Sequence, residues 1–121
     1  MEPRVLLADD SGTMRKIIMR SLTAIGIASA VEAVDGQEAI ELFQAETFDL
    51  VLTDWNMPNK NGLELTKEIR ELNTTVPIIM VTTEGEKSRV LEAIQAGVSD
   101  YLVKPFTAEA LREKLERHSC C

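Results

Sequence analysis

The sequence predicts an α/β fold: an open, doubly wound sheet of five parallel strands in the order 2-1-3-4-5, with five helices on its two faces. Three observations carry this. Short apolar runs alternate five times with segments of helical periodicity. The runs are nearly continuous in apolar character, as strands buried on both faces must be. Four of them end abruptly in a polar or charged residue, which marks one common edge. Parallel strands joined through helices require right-handed crossovers, so the helices divide between the two faces. A chain of 121 residues has room for one such domain, so 1–121 reads as a single unit with 118–121 as a flexible tail.

The strong strands are Val5 to Ala8, Leu50 to Leu52, Ile78 to Val81 and Tyr101 to Val103, with a weaker edge strand from Ala28 to Ala33. Met14, Ile17, Ile18, Leu22 and Ile25 form the stripe of a first helix that Gly26 can end in a left-handed conformation. Asp35 to Glu38 and Asn61 to Glu64 each fit a capping box, in front of the second and third helices. Thr83 to Glu86 fits another before Val90, Leu91 and Ile94, with Gly97 as the stop. Thr107 caps the last helix, which runs through Leu111 and Leu115.

Thirteen basic residues against 20 acidic ones leave a net charge of −7, which disfavours nucleic acid and anionic membranes as partners. Between Arg20 and Lys60 there is no Lys or Arg, while Glu32, Asp35, Glu38, Glu41, Glu46, Asp49 and Asp54 fall there. The glutamates read as a solvated acidic helix face. Cys120 and Cys121 are adjacent at the end, where they can neither staple the fold nor complete a zinc site with His118. The opening MEPRVLLADD has too short an apolar run for a secretory signal, and no stretch approaches a membrane span, so a cytoplasmic protein is expected.

In a sheet of this order, ligands bind beyond the carboxyl ends of the strands, at the switch between strands one and three. Strand one delivers Asp9 and Asp10 to that edge, strand three Asp54, strand four Thr82 and strand five Lys104. Singly, each has a plain explanation: Asp-Asp before a helix can be a cap, Asp54 can open a turn and Lys104-Pro105 can be a loop. Their common placement is what points to a site. Two carboxylates about 4 Å apart repel by about 4 kcal/mol at an effective dielectric near 20, so the cluster must take up a proton or a cation. Oxygen-only donors favour Mg²⁺, with Mn²⁺ possible, and Mg²⁺ prefers to share phosphate oxygens. Asp54 on the central strand can then act as a carboxylate nucleophile. Asp10, Asp54 and a loop carbonyl would hold the metal and Asp9 would orient it through water, while Lys104 and Thr82 would meet the phosphoryl oxygens. No glycine-rich nucleotide cradle is present, so the phosphoryl donor must come from outside.

These residues resemble a bacterial response-regulator receiver domain, of the single-domain chemotaxis branch and of flavodoxin-like fold. The pieces that carry the resemblance are Ala8-Asp9-Asp10, Thr13-Met14-Arg15, Asp54-Trp55-Asn56-Met57-Pro58-Asn59, Gly62-Leu63-Glu64-Leu65, Met80-Val81-Thr82 and Tyr101-Leu102-Val103-Lys104-Pro105-Phe106-Thr107. The resemblance implies that Asp54 is the phosphoacceptor and that Asp9, Asp10, Asp54 and the backbone carbonyl of Asn56 form the Mg²⁺ site. It implies that Thr82 and Lys104 bind phosphoryl oxygens, that the Lys104–Pro105 bond is cis, and that Thr82 and Tyr101 move together as a switch. Asn56 and Glu84 would modulate dephosphorylation. The implied partners of this monomer are a histidine kinase of the CheA kind, the motor switch protein FliM at the face of helix four, strand five and helix five, and a phosphatase. Ser11-Gly12 after the acid pair, where an aromatic is common, and the short final helix depart from the pattern and bear on the output surface. A receiver in another pathway, as relay intermediate or phosphate sink, fits the same residues. A Mg²⁺-dependent aspartyl-phosphate phosphatase fits poorly, because it needs an acid where Asn56 stands.

Overall fold

Apolar residues at every position of a short strand bury both faces of a sheet, and two cores result. A computed structural model of the chain describes residues 3–83, 87–104 and 106–118, the side chains of Thr82, Lys87 and Ser88 excepted. Its elements are β1 (Val5–Ala8), α1 (Gly12–Ala24), β2 (Ala30–Ala33), α2 (Gly36–Ala45), β3 (Leu50–Thr53), α3 (Gly62–Leu72), β4 (Ile78–Thr82), α4 (Lys87–Ala96), β5 (Asp100–Val103) and α5 (Ala108–Arg117). The five strands form one sheet in the order β2-β1-β3-β4-β5, parallel throughout, as the sequence predicts.

Side-chain alternation assigns each strand residue to one core. Val5, Leu7, Leu50, Leu52, Ile79, Val81 and Leu102 pack with Ile18 and Leu22 of α1 and with Leu111 and Leu115 of α5. Leu6, Ala8, Val51, Ile78 and Met80 point the other way, onto Ile40 of α2, Leu65 and Ile69 of α3 and Ala93 of α4. The chain therefore leaves β1 for one face and β3 for the other, and this reversal opens the crevice between their carboxyl ends.

Local chemistry sets the ends of the helices. Ser11 caps α1 by accepting from the Met14 N–H at 3.2 Å, and Gly26 leaves it at φ 93°. The Ile27 N–H still bonds to the Leu22 carbonyl, so the helix cap occupies the chain through residue 27 and β2 begins only at Ala30, two residues later than the sequence suggests. Asn61 and Glu64 make the full reciprocal box. At α2 the box is half formed: Asp35 accepts from the Glu38 N–H, but Glu38 reaches back to the Val34 N–H instead. Residues 84–86, expected to cap α4, lie outside the described residues. Thr107 caps α5 as expected.

Glu32, Glu38 and Glu41 are exposed, as expected of a solvated face, and the acidic stretch also meets bases at the surface. Glu32 pairs with Arg15 at 3.0 Å, Glu46 pairs with Arg4, and Asp49 accepts from the Arg4 N–H at 2.8 Å. The bases come from outside the 21–59 interval and meet it through the fold. At the other end of the sheet, Asp100 accepts from the Tyr101 N–H at 2.8 Å and faces Lys114 at 3.0 Å, Arg117 at 3.4 Å and His118 at 3.0 Å. This pins the last turn of α5 to the start of β5, and His118, expected on the tail, is the C-cap of that helix.

Burial alone would raise the Asp100 pKa, but hydrogen bonds from His118, the Tyr101 N–H and Lys114 outweigh it and hold the carboxyl below its ordinary 3.8. Asp35 is lowered too, by the Glu38 N–H and then Asn59. A folded-state value below the unfolded one stabilises the protein at pH above the unfolded value, and that contribution is lost as pH falls through the folded value. Asp100→Asn should therefore cost about 1 kcal/mol at neutral pH and less below about pH 4. Urea midpoints at pH 7 and pH 3 check this; an equal loss at both would refute the linkage.

Candidate functional site

Register brings the candidate acids together. Ala8 lies opposite Thr53 at the ends of β1 and β3, so Asp9, Asp10 and Asp54 leave adjacent strands at the same level. One carboxylate oxygen from each of the three lies within 4.8 Å of the other two. Asp9 is buried at 1% exposure, Asp54 is half-buried and Asp10 is exposed, so the cluster grades from core to solvent. Lys104, directly after β5, brings Nζ to 3.0 Å from Asp9 Oδ2 and 3.5 Å from Asp54 Oδ2.

Each oxygen of Asp9 already has one partner, which fixes its orientation in the cluster. Its Oδ1 accepts from the Ser11 N–H at 2.9 Å and its Oδ2 takes Lys104. Because Ser11 caps α1, neither acid of the pair is spent on capping. Asp54 is held from both sides: its N–H donates to the Ala8 carbonyl at 2.9 Å, and its Oδ1 accepts from the Trp55 N–H at 2.7 Å. Its Oδ2 faces Lys104.

Other predicted residues stand as follows. Asn56 is exposed in the loop after Asp54. Thr82 closes β4, so its backbone reaches the same edge; its side chain, Glu84 and Pro105 lie outside the described residues. Tyr101, paired with Met80, is half-buried against the core that contains Trp55.

Three contributors carry little sequence signal. Arg15 Nη1 donates to the Asp9 carbonyl at 2.7 Å, fixing the turn out of β1. The Trp55 N–H, which holds Asp54, is backbone and has no signature in residue identity. Gly62, read in the sequence as part of a helix cap, is buried, and a Cβ there would stand 2.1 Å from the Asp54 carbonyl oxygen. Its own N–H donates to the Trp55 carbonyl at 2.8 Å. A backbone oxygen cannot yield as a flexible side chain would. Gly62→Ala should therefore cost about 3 kcal/mol, read as a lowered urea midpoint; a loss below about 0.5 kcal/mol, as at an unconstrained surface position, would contradict the contact.

The donor set suits Mg²⁺. It is all oxygen, carries three formal negative charges against one lysine, and leaves Asp10 and part of Asp54 open to solvent.

Comparison with known proteins agrees with this geometry. Residues 5–116 match the response regulator receiver domain family. A chemotaxis protein CheY homolog of Campylobacter jejuni is 50% identical over 116 residues, covering 93% of this chain and 89% of that protein. Chemotaxis protein CheY1 of Helicobacter pylori is also 50% identical, covering 93% of this chain and 94% of its own. The solved structure of Vibrio cholerae CheY4 superposes with a TM-score of 0.90 at 34% identity, over 97% of this chain and 98% of that one. Receiver domains are phosphoacceptor switches that bind Mg²⁺ through acidic residues, and an acid cluster stands here at the strand edge where such a site belongs. By sequence and by fold, the chain belongs to the response regulator receiver domain family, among the CheY-type chemotaxis regulators.

Proposed function

We propose that residues 1–121 act as one phosphorylation-activated switch in which Asp54 accepts a phosphoryl group from a histidine kinase of the CheA kind. The observation that carries this is the trio of carboxylates at the β1/β3 switch point with Lys104 between two of them. An Asp54 carboxylate oxygen attacks phosphorus, the phosphorus–nitrogen bond of the donor histidine breaks, and the imidazole leaves with that electron pair and takes a proton. The Trp55 N–H holds the other carboxylate oxygen, which favours attack through one atom. Lys104 offsets charge that gathers on the phosphoryl oxygens. Bound Mg²⁺, held by Asp10, Asp54 and the Asn56 carbonyl with Asp9 in support, would neutralise the rest. Water attack on the aspartyl phosphate returns the carboxylate, and Asn56 and Glu84 would set its pace from two positions beyond Asp54 and Thr82.

In this reading, Thr82 and Tyr101 pass the change to the face of α4, β5 and α5. Leu91, Ile94 and Val103 are 52%, 53% and 45% exposed there, an apolar surface suited to a protein partner. The chemotaxis names of the relatives favour the flagellar motor switch protein FliM as that partner and the cytoplasm as the location. No helix among the described residues is long and apolar enough to cross a membrane.

Incubation with acetyl phosphate and Mg²⁺ should add one phosphate per chain, at Asp54. Capture on immobilised FliM should then favour the phosphorylated form. Equal capture of both forms would send the switch to another pathway, and repeated turnover of a phosphate ester would move it to the phosphatase class.

A further inference from the structure

Arg89 lies near the start of α4, with its guanidinium carbon 4.8 Å from the centre of the Trp55 ring. Its Nη1 is buried and has no hydrogen-bond partner among the described residues. A buried guanidinium nitrogen normally finds an acceptor; among the described residues the contact given for this side chain is the indole face of Trp55. Trp55 is 5% exposed and is tied down on both sides of its own backbone. Its N–H donates to Asp54 Oδ1 at 2.7 Å, and its carbonyl accepts from the Gly62 N–H at 2.8 Å. The peptide that holds the candidate phosphoacceptor thus belongs to the residue on which α4 rests a cation. Two positions along the same helix, Leu91 is exposed on the candidate output face, followed by Ile94.

We propose that Arg89 is a positioning residue: through the Trp55 ring it locks the Asp54 carboxylate into its reactive orientation and ties the start of α4 to that orientation. The assignment rests on the phosphoacceptor reading of Asp54. A cation–π contact can slide or lift without a new bond being made, and Nη1 is without a hydrogen-bond partner among the described residues. Such a contact suits a helix start that is to respond when Asp54 changes charge.

The test uses the full chain with Arg89→Met, which keeps the apolar stem and removes the cation, and Arg89→Lys, which keeps a cation without the planar fork. Trp55 is the single tryptophan, so its emission in metal-free protein reports the contact directly. Arg89→Met should change that emission and slow Asp54 labelling by acetyl phosphate about fivefold, as expected for loss of a partly buried cation–π contact. Melting should stay within a few degrees of wild type, and Arg89→Lys should recover part of the rate. In a Trp55→Leu background, Arg89→Met should have little further effect, because the pair is coupled. Wild-type emission and labelling in Arg89→Met would overturn the inference, as would a slowing that merely follows lost folded protein and that lysine does not rescue. Failure of the wild-type chain to label would instead sink the phosphoacceptor reading, and the inference with it.

Discussion

Asp54→Asn should take up no phosphate from acetyl phosphate and Mg²⁺ under conditions that label the wild-type chain to completion. The substitution keeps the shape of the side chain and an oxygen that can accept the Trp55 N–H, now at 2.7 Å. It removes the charge that makes the other oxygen nucleophilic, and an amide oxygen is a poor nucleophile towards phosphorus. A loss of at least about a thousandfold is expected, comparable to deleting a catalytic nucleophile. Affinity for Mg²⁺ should fall too, because one of three anionic oxygen donors becomes neutral. Phosphate quantified by intact-mass measurement, and Mg²⁺ affinity from the quenching of Trp55, are the readouts. Undiminished labelling of Asp54→Asn would place the acceptor elsewhere, while a chain that melted early would show only that the side chain is structural.

The same site shows how far residue identities reach. Asp9, Asp10, Asp54 and Lys104 are legible because each follows a buried strand directly. A parallel sheet puts all such positions on one edge, so no tertiary distance has to be known. Strands one, three, four and five are legible for the same reason: their apolar character is unbroken. The edge strand β2 is legible except for its start, since Ala28 and Ser29 carry no strong preference and the α1 cap claims the chain through Ile27.

What stays hidden depends on distances between remote residues or on the backbone. Nothing in the composition tells Glu38 to bond Val34 instead of completing its box, or Arg4 and Arg15 to engage the acids of the 21–59 stretch. Gly62 passes for an ordinary helix start, although the chain passing Asp54 leaves no space for a Cβ there. Arg89 and Trp55 are 34 positions apart in the chain, and neither type on its own predicts the other. Chemistry borne by charged side chains could be read; the groups that orient it had to be located in space.

Lys104→Met should lower the stability of the metal-free protein by about 3 kcal/mol, because removing one partner of a buried ion pair leaves the other charge uncompensated. Asp9, with its side chain 2% exposed, would keep the Ser11 N–H but lose its cation, while still facing two further carboxylates. Asp10 lies in the same cluster with the opposite balance: it is exposed and has no cationic partner among the described residues. Asp10→Asn should therefore stabilise the metal-free chain slightly, by about 0.5 kcal/mol, through relieved repulsion. Opposite signs from two changes in one cluster are what its charge balance predicts. Mg²⁺ should restore part of the Lys104→Met loss, since a ligand at a hundred times its dissociation constant contributes about 2.7 kcal/mol, and it should add little to the stability of Asp10→Asn, which has lost a donor. Asp54 labelling should fall about a hundredfold in Lys104→Met even with Mg²⁺ present, as when a preorganised charge is removed from a transition state. Urea unfolding with and without Mg²⁺ measures the first effect and timed labelling the second. A Lys104→Met chain as stable as wild type without metal would mean that Asp9 is compensated by something other than Lys104.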